Sequence, residues 1–492
     1  MIRPDDDEDR RGLAGTGARG VADALRIQPF RRLWLVLSLS SVGDWLGLLA
    51  SAAFASAQVK LPAAKGAAFG AVIAVQLLPA LVLGPLAGVL ADRFNRRYTM
   101  AVVDLFRFVA YASIPVAAIV IPGAGAVAYA AIAVFLIQAA ALLWVPAKEA
   151  AVPNLLPRVL LEPANQLTLV TTYGFAPVAG ALLFAGLAKL PSLGAVGPSG
   201  LALWFNALTF LASALVVLVG IPELSGRTAS HRVTPREAAR PASGAVTGDL
   251  VAAGRFVFGT PLVRGVVIGI LGAFAGAGVV VGTAKFYAQS LGGGDASFGV
   301  LFAVLFIGFG VGIAAGPRLV GRWSRRRSFA TSIVVGGFAV IGLALTPRLL
   351  PASIATFVAG VAAGMAFLVG ITLLGRDVDD EVRGRVFAVV QTGARVVLLA
   401  TVALSGVLVG VGSSHRLQVG ALRVDISATR VLLLLAGVGG VLLGRAALKQ
   451  IDDRPGIPVT ADLANIVLRR PLAPDPRRGE RGTEVERRDD AS

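Results

Sequence analysis

The sequence contains no cysteine, and only two of its 492 residues are histidine. Disulfides, thiolate metal sites, iron–sulfur clusters and cysteine nucleophiles are therefore excluded. Catalysis or metal binding by histidine could involve two residues at most. Charged residues are also scarce, at 15% of the chain against roughly 25% in a typical soluble domain. Apolar residues make up 55% instead. These proportions exclude an ordinary soluble globular domain and indicate a chain whose main solvent is lipid.

Long apolar runs recur along the whole chain. A helix needs about 20 apolar residues, at 1.5 Å each, to cross the hydrocarbon core of a bilayer. We predict an all-α integral membrane protein with twelve transmembrane helices in two six-helix halves. The spans are expected near residues 33–57, 67–90, 98–121, 125–145, 166–188 and 200–220, and then 262–284, 297–315, 328–346, 352–374, 386–411 and 430–448.

Polar stretches divide the chain around these two sets of helices. The gap between the sets is rich in Arg, Ala, Pro and Ser, which indicates a linker, and the Pro-rich, charged end of the chain cannot form a core. The acidic first residues indicate that no cleavable signal peptide begins the chain. The predicted segments are a cytoplasmic tail 1–28, a bundle 29–222, a cytoplasmic linker 223–254, a bundle 255–448 and a disordered cytoplasmic tail 449–492.

Lysine and arginine are distributed unevenly among the predicted loops. Loops after the even-numbered spans hold more than twice as many of them as loops after the odd-numbered spans. Because positively charged loops stay in the cytoplasm, we expect both termini on the cytoplasmic side of the plasma membrane. The net charge of +17 is then a topology signal and an attraction to anionic membrane lipids. It does not indicate a nucleic-acid partner, as it would in a soluble chain.

The turn between spans 2 and 3 has a distinctive pattern of glycine, carboxylate and arginine. A glycine lets two helices approach closely, a carboxylate caps a helix end, and arginines anchor the turn at the inner surface. A charged turn that merely follows the positive-inside rule is the alternative. The pattern recurs between spans 8 and 9 without a matching carboxylate, as expected of transporters built from two repeats. The residues concerned are Gly88, Asp92, Arg93, Arg96 and Arg97 in the first turn, and Arg322 and Arg326 in the second.

The turn at 88–97 resembles the G-x-x-x-D-R-x-G-R-R/K signature of the major facilitator superfamily, with Asn95 in place of the usual Gly. Residues 30–45, 145–167 and 380–391 resemble the drug-exporter branch related to macrolide and enterobactin efflux proteins. The second half is also similar to the transporter portion of actinobacterial fusions with thymidylate kinase. No G-x-x-x-x-G-K-[ST] loop is present, which excludes a kinase or an ATP-driven pump on this polypeptide.

Ionisable residues inside a span are functional candidates, because each costs about 2.5–3.5 kcal/mol on insertion scales. Asp44 lies near the middle of span 1 with no basic residue within one helical turn. Span 1 lines the central cavity in the fold that the resemblance implies. We therefore expect a solitary carboxylate that exchanges a proton during transport. The alternative is a hydrogen bond to a neighbouring helix that only fixes packing.

Two further spans contain charged residues. Asp104 and Arg107 are three residues apart on one face of span 3, so we expect them to pair in a structural or gating network. Arg395 lies nearly three turns into span 11. It is interpreted as binding an anionic substrate group, countering Asp44 across the two halves, or extending toward the cytoplasm, and the sequence leaves these alternatives open.

Uncharged residues are also candidates for the transport path. Gln138 in span 4 and Tyr173 in span 5 could line it, with helix–helix hydrogen bonds as the alternative. Trp45, beside Asp44, could form an aromatic wall, with buried packing as the alternative.

The resemblance implies a proton-coupled secondary exporter of small amphipathic or hydrophobic molecules, drug-like or siderophore-like, that works by alternating access. The alternatives are a lipid or lysolipid flippase of the same fold, a membrane-embedded enzyme, and a non-transporting membrane scaffold. We predict that the protein is not an enzyme. We expect it to use no cofactor or metal and to act as a monomer.

Overall fold

The computed structural model describes residues 18–83, 95–225, 259–320, 324–378, 380–412, 427–454, 456–458 and 462. Within them it contains twelve helices long and apolar enough to cross a membrane, which confirms the predicted all-α, twelve-span fold class. The helices, numbered in chain order, are α1 Gln28–Ala57, α2 Pro62–Val82, α3 Arg96–Val120, α4 Ala124–Leu155, α5 Arg158–Leu187, α6 Pro198–Gly220, α7 Pro261–Ser290, α8 Gly294–Val320, α9 Arg325–Leu345, α10 Leu349–Asp377, α11 Asp380–Gly412 and α12 Ala428–Ile451.

The third helix of each half begins after a capping residue. The side chain of Asn95 accepts a hydrogen bond of 3.1 Å from the backbone N–H of Arg97 at the start of α3. The hydroxyl of Ser324 accepts one of 3.4 Å from the backbone N–H of Arg327 at the start of α9. Each bond satisfies a donor that the first turn of a helix leaves free. The same device at corresponding places supports the predicted internal repeat.

Helices α4 and α5 differ from the predicted spans. α4 continues through Pro146 and Pro153 to Leu155, past the predicted end at residue 145. α5 begins at Arg158 and includes a π-helical segment, Val170–Phe175. Such segments widen the helical turn and are frequent at functional sites.

The surface of the helices is apolar where a bilayer would surround them. On α3, Val102, Val109 and Val116 are 63%, 56% and 50% exposed. Their seven-residue spacing places them on one face of the helix. Large apolar side chains repeated on one exposed face are stable in lipid and costly in water, which fits an integral, multi-pass membrane protein.

The two halves, α1–α6 and α7–α12, meet along two helix pairs, α2 with α11 and α5 with α8. We call the end of the bundle where α1 begins the proximal end, and the end where α1 finishes the distal end. At the distal end the backbones of α2 and α11 touch, because a Cβ on Gly66 would lie 2.1 Å from the carbonyl oxygen of Gly406. A Cβ on Gly299 of α8 would similarly lie 2.7 Å from the carbonyl oxygen of Ala181 of α5.

Aromatic rings also pack between the halves at the distal end. Phe69 of α2 lies 5.8 Å from Phe286 of α7 and 5.7 Å from Phe298 of α8, between ring centroids. Phe184 of α5 lies 5.9 Å from Phe298. All of these rings except that of Phe286 are buried. The two halves are therefore packed together at the distal end.

Part of the segment predicted as a disordered tail is packed against the bundle. α12 ends at Ile451, and Asp462 beyond it is fully buried. A short helix, Ala18–Arg26, lies within the predicted N-terminal tail. Of the predicted linker 223–254, only residues 223–225 are among the described residues.

Candidate functional site

The central feature of the candidate site is an ion pair between α1 and α3. Arg107 Nη2 donates to Asp44 Oδ1 at 2.6 Å. The Arg107 side chain is only 3% exposed, whereas that of Asp44 is 42% exposed. The prediction of a solitary carboxylate is therefore wrong, because its cation comes from another helix.

Arg107 also faces a second carboxylate, that of Asp104. Arg107 Nη1 lies 3.8 Å from Asp104 Oδ1, so the predicted pair within α3 exists but is longer than a hydrogen bond. Asp104 Oδ2 accepts hydrogen bonds from Trp144 Nε1, at 3.1 Å, and from Ser213 Oγ. The buried Arg107 is thus close to two carboxylates. The more distant one, that of Asp104, is held in place by side chains of α4 and α6.

Aromatic and polar groups surround the arginine. The guanidinium carbon of Arg107 lies 4.5 Å from the ring centroid of Phe210, a favourable cation–π contact. The ring of Tyr111 stacks on that of Phe210, with 5.6 Å between the ring centroids. The Tyr111 hydroxyl and both amide atoms of Asn206 are also buried here. Gly47 of α1 permits this close approach, since a Cβ there would lie 2.5 Å from Tyr111 Oη.

Trp45 connects the site to the second half of the protein. Its ring centroid lies 4.8 Å from that of Phe306 and 6.0 Å from that of Phe302, both on α8. Its indole Nε1 donates to the carbonyl oxygen of Thr172 at 3.3 Å. Thr172 belongs to the π-helical segment of α5, so Trp45 contacts α5 and α8 next to the Asp44–Arg107 pair.

The other predicted path residues lie on three different helices. Gln138 is partly buried on α4, and Tyr173, in the π-helical segment, is 59% exposed. Arg395 of α11 is exposed. It precedes Val402 by seven residues and Gly406 by eleven, so all three share one face of the helix. Since Val402 and Gly406 pack against α2, Arg395 borders the space between the halves nearer the proximal end.

The predicted gating arginines are only partly described. Gly88, Asp92, Arg93 and Arg322 lie outside the described residues. Arg97 donates to the carbonyl oxygens of Val217, at 3.4 Å, and Leu218. These carbonyls end α6, where a cation favourably offsets the negative end of the helix dipole. Arg96 and Arg326 are partly buried at the starts of α3 and α9.

A buried arginine network that the sequence did not single out lies at the proximal end. Arg327 of α9 is fully buried and donates to Asp452, at 2.7 Å, and to Asp462, also at 2.7 Å. It donates further to the carbonyl oxygens of Arg454 and Ile457. The run of arginines at 325–327 and the acidic residues after α12 were visible in the sequence. Nothing in the sequence indicated which of the three arginines pairs with them.

Asp452, which lies beyond the end of α12, responds to this network. Burial raises its pKa, but hydrogen bonds from Arg327 and from the backbone N–H of Arg454, together with the charges of both arginines, outweigh that effect. The pKa of Asp452 is therefore below its ordinary value, and its ionised form is favoured.

Comparison with known proteins agrees with this architecture. Residues 266–474 match the family described as Major Facilitator Superfamily. Uncharacterized MFS-type transporters of Mycobacterium bovis and Mycobacterium tuberculosis are each 29% identical to this chain, over 76% of it and 84% of their own length. The second half thus matches the model of that family, and the chain is similar to two proteins that are named as transporters. The drug-exporter branch stays a prediction.

Solved structures of low sequence identity share the fold. A bacterial homolog of the human lysosomal transporter Spinster, in an inward-facing and unoccupied conformation, has a TM-score of 0.62 and 15% identity over 88% of this chain and 99% of its own. The nucleoside transporter NupG has a TM-score of 0.61 and 13% identity over 86% and 98%. A D-xylose-proton symporter has a TM-score of 0.59 and 16% identity over 87% of this chain and 99% of its own. The chain therefore shares its fold with these solved transporters.

Proposed function

We propose that the protein is a secondary active transporter of the major facilitator superfamily that exports small amphipathic or hydrophobic organic molecules in exchange for protons. The observation that carries the proposal is the half-exposed carboxylate of Asp44, bonded to the buried Arg107 and adjacent to an aromatic contact between the two halves. A carboxylate in this position can gain or lose a proton while a substrate lies beside it.

Alternating access follows from where the halves touch. The glycine contacts between α2 and α11 and the rings around Phe69 lie at the distal end. The side chains of Asp44 and Arg395 are accessible near the middle of α1 and α11, outside these distal contacts. Rocking one half against the other would separate the distal contacts and bring the proximal ends together. In the reverse motion the site would open to the proximal side again.

The orientation of this cycle rests on the positive-inside rule. Positively charged loops are concentrated at the proximal end, so this end is assigned to the cytoplasm, together with both termini. With this orientation, we assign the structure to an inward-open state of a transporter in the plasma membrane. The proposed division is a tail 1–28, a bundle 29–222, a linker 223–254, a bundle 255–448 and a tail 449–492, although α12 and Asp462 extend the packed part past residue 448. A monomer that contacts anionic lipids is sufficient for this function, because the two halves form one path.

The lining of the site favours amphipathic substrates over sugars or phosphates. Trp45 and Phe306 offer apolar ring surface next to Asp44. Gln138 and Tyr173 are assigned to the path as hydrogen-bonding groups. Arg395 lies on the opposite half, where it can contact an anionic group or approach Asp44 when the halves close. The turn with Gly88, Asp92, Arg93, Arg96 and Arg97, together with Asp104, Arg107, Arg322 and Arg326, is assigned to gating of the proximal end.

The test is transport of a fluorescent lipophilic cation in proteoliposomes with and without an imposed proton gradient. We expect Asp44→Asn to abolish gradient-driven transport while the protein still inserts and binds the dye. Glu162→Gln, on the exposed surface of α5, is the matched control and should transport normally.

Gradient-driven dye transport by Asp44→Asn at the wild-type rate would overturn the role of Asp44. A second assay uses a fluorescent lysophospholipid in the same vesicles. Translocation of this lipid without transport of the dye would replace drug export by lipid flipping. If the wild-type protein shows neither dye transport nor lipid translocation, the remaining interpretation is a non-transporting scaffold.

A further inference from the structure

We propose that Asp104 is the alternative partner of Arg107, and that the arginine shifts from Asp44 to Asp104 each time Asp44 binds a proton. Asp104 is thereby a positioning residue for the proton step. This inference rests on the proposed proton coupling at Asp44, and it assigns the buried carboxylate a part in the cycle beyond holding helices together.

Two buried atoms without a hydrogen-bond partner in the described part of the chain lie where Arg107 would contact Asp104. Asp104 Oδ1 and Arg107 Nε are both buried, and within the described residues neither has a hydrogen-bond partner. Arg107 Nη1 already lies 3.8 Å from Asp104 Oδ1. A movement of about 1 Å would shorten this contact to the usual length of about 2.7–2.9 Å for a charge-assisted hydrogen bond. Asp104 Oδ1 thus offers the guanidinium a second acceptor about 1 Å from hydrogen-bond distance.

The arginine, and not Asp104, is the group that can move. Asp104 is held through its other oxygen by Trp144 and Ser213, and Ser213 in turn accepts from Ser40. Arg107 is attached to the protein mainly by its bond to Asp44 and by the face of Phe210. The ring contact tolerates a small sideways movement, because a cation–π interaction depends on distance to the ring and not on a single bond direction.

The charges around Arg107 explain why the shift accompanies protonation. α1 contributes Asp44, and α3 contributes Asp104 and Tyr111. α6 contributes only the uncharged Asn206 and Ser213, and α4 contributes Trp144, with Lys148 one turn further along. Protonation of Asp44 removes the nearer negative charge from a cation that cannot reach water. The remaining carboxylate then forms a neutral pair with Arg107, so the buried charge stays compensated throughout.

Removing the charge of Asp104 should therefore change the pH at which transport operates. Without a second carboxylate, Arg107 would stay bonded to Asp44 and oppose its protonation. Asp104→Asn is expected to move the midpoint of the pH–transport curve toward acid by about one unit. Asp104→Glu keeps the charge and should restore the wild-type midpoint, at a lower rate because its side chain is longer.

The experiment is dye transport in proteoliposomes at a series of internal pH values. It compares wild type, Asp104→Asn, Asp104→Glu and the control Glu149→Gln, an exposed carboxylate on α4. An acid shift in Asp104→Asn alone supports the inference. A wild-type midpoint with reduced protein yield or a lower melting temperature would overturn it and leave Asp104 a structural residue.

Two further measurements keep the inference testable in every case. If Asp104→Asn does not insert, Asp104→Ser, which still offers an acceptor to Trp144, is measured in its place with the same criterion. Asp44→Asn is measured in parallel. If it retains proton-driven transport, the proposed function at Asp44 has failed. If it loses that transport while Asp104→Asn keeps the wild-type midpoint, only the present inference has failed.

Discussion

The ammonium group of Lys285 on α7 lies 2.9 Å from the carbonyl oxygen of Ala53 on α1, so a buried cation of the C-terminal half is bonded to the backbone of the N-terminal half. Within its own half, Lys285 lies 3.4 Å from Asp295. Separation of the halves at the distal end must break the first contact but can keep the second. The bond to Ala53 therefore stabilises the state in which the distal end is closed.

Replacing this lysine should favour opening of the distal end. In Lys285→Met the hydrogen bond to Ala53 is lost while the bulk of the side chain is largely kept. Because the chain has no native cysteine, Ala185→Cys, at a position only 6% exposed, can report opening through its reaction with a membrane-impermeant maleimide. We expect the labelling rate to rise several-fold. Lys65→Met, at an exposed lysine near the same end, is the control and should label as slowly as the parent protein.

A side chain at the contact between α2 and α11 should act as a wedge. A Cβ on Gly406 would lie 2.6 Å from the carbonyl oxygen of Gly66, so Gly406→Leu cannot fit without separating the helices. We expect faster labelling of the same cysteine reporter and at least a ten-fold loss of transport. Gly439→Leu, at a position with open space around it, should change neither property. Equal behaviour of the two leucine variants would contradict the close packing of the halves.

Trp45 should affect substrate affinity more than turnover. Trp45→Phe removes the bond to the Thr172 carbonyl but keeps a ring facing Phe306, whereas Trp45→Ala removes both. We expect the KM for an aromatic dye to rise several-fold in Trp45→Ala and less in Trp45→Phe, with a smaller change in kcat. Trp204→Phe, on α6, loses a comparable indole bond to the Ala112 carbonyl and provides the control. If Trp45 had a purely structural role, Trp45→Phe and Trp204→Phe would instead lower the protein yield to the same extent.

The buried Arg327 network should stabilise the C-terminal half. Arg327→Ala removes the shorter of the two arginine contacts of the fully buried Asp462, while Arg454 Nη1 stays at 3.1 Å. Removing one partner of a buried pair costs about 3–5 kcal/mol when no other cation remains, so we expect a loss below that range. Thermal unfolding in detergent measures the loss. The exposed pair of Asp23 and Arg26 offers a contrast, because surface pairs contribute about 0–1 kcal/mol. Asp23→Asn should therefore leave the melting temperature nearly unchanged.

The same network makes a pH-dependent contribution. Because the pKa of Asp452 is lowered in the folded protein, its ionised form stabilises the fold at every pH above the unfolded value of about 3.9. The contribution is lost as the pH falls through the lowered pKa. The difference in melting temperature between wild type and Asp452→Asn should thus stay constant from pH 6 to 8 and shrink only in acid, below about pH 4. A difference that shrinks already between pH 7 and 6 would assign the effect to another group.

The sequence by itself determined the twelve spans, because the length and hydrophobicity of an apolar run are local properties that the bilayer thickness converts directly into a helix. It also placed the charged residues inside those helices, among them Asp44, Asp104 and Arg107. Span ends were less well defined, since α4 continues through two prolines to Leu155 and α5 starts at Arg158. A helix that extends past the apolar core leaves no hydrophobic signal at its end.

Only the tertiary structure decided which charges meet. Asp44 and Arg107 are 63 residues apart, Arg327 and Asp462 are 135 apart, and Lys285 and Ala53 are 232 apart. Spacing along one helix predicted the Asp104–Arg107 pair, because neighbours at three residues share a face. No periodicity relates residues on different helices, so their contacts depend on how the helices are arranged and rotated. Those features are set by the packing of glycines and rings across the whole bundle, which turned an apparently solitary carboxylate into one partner of a shared arginine.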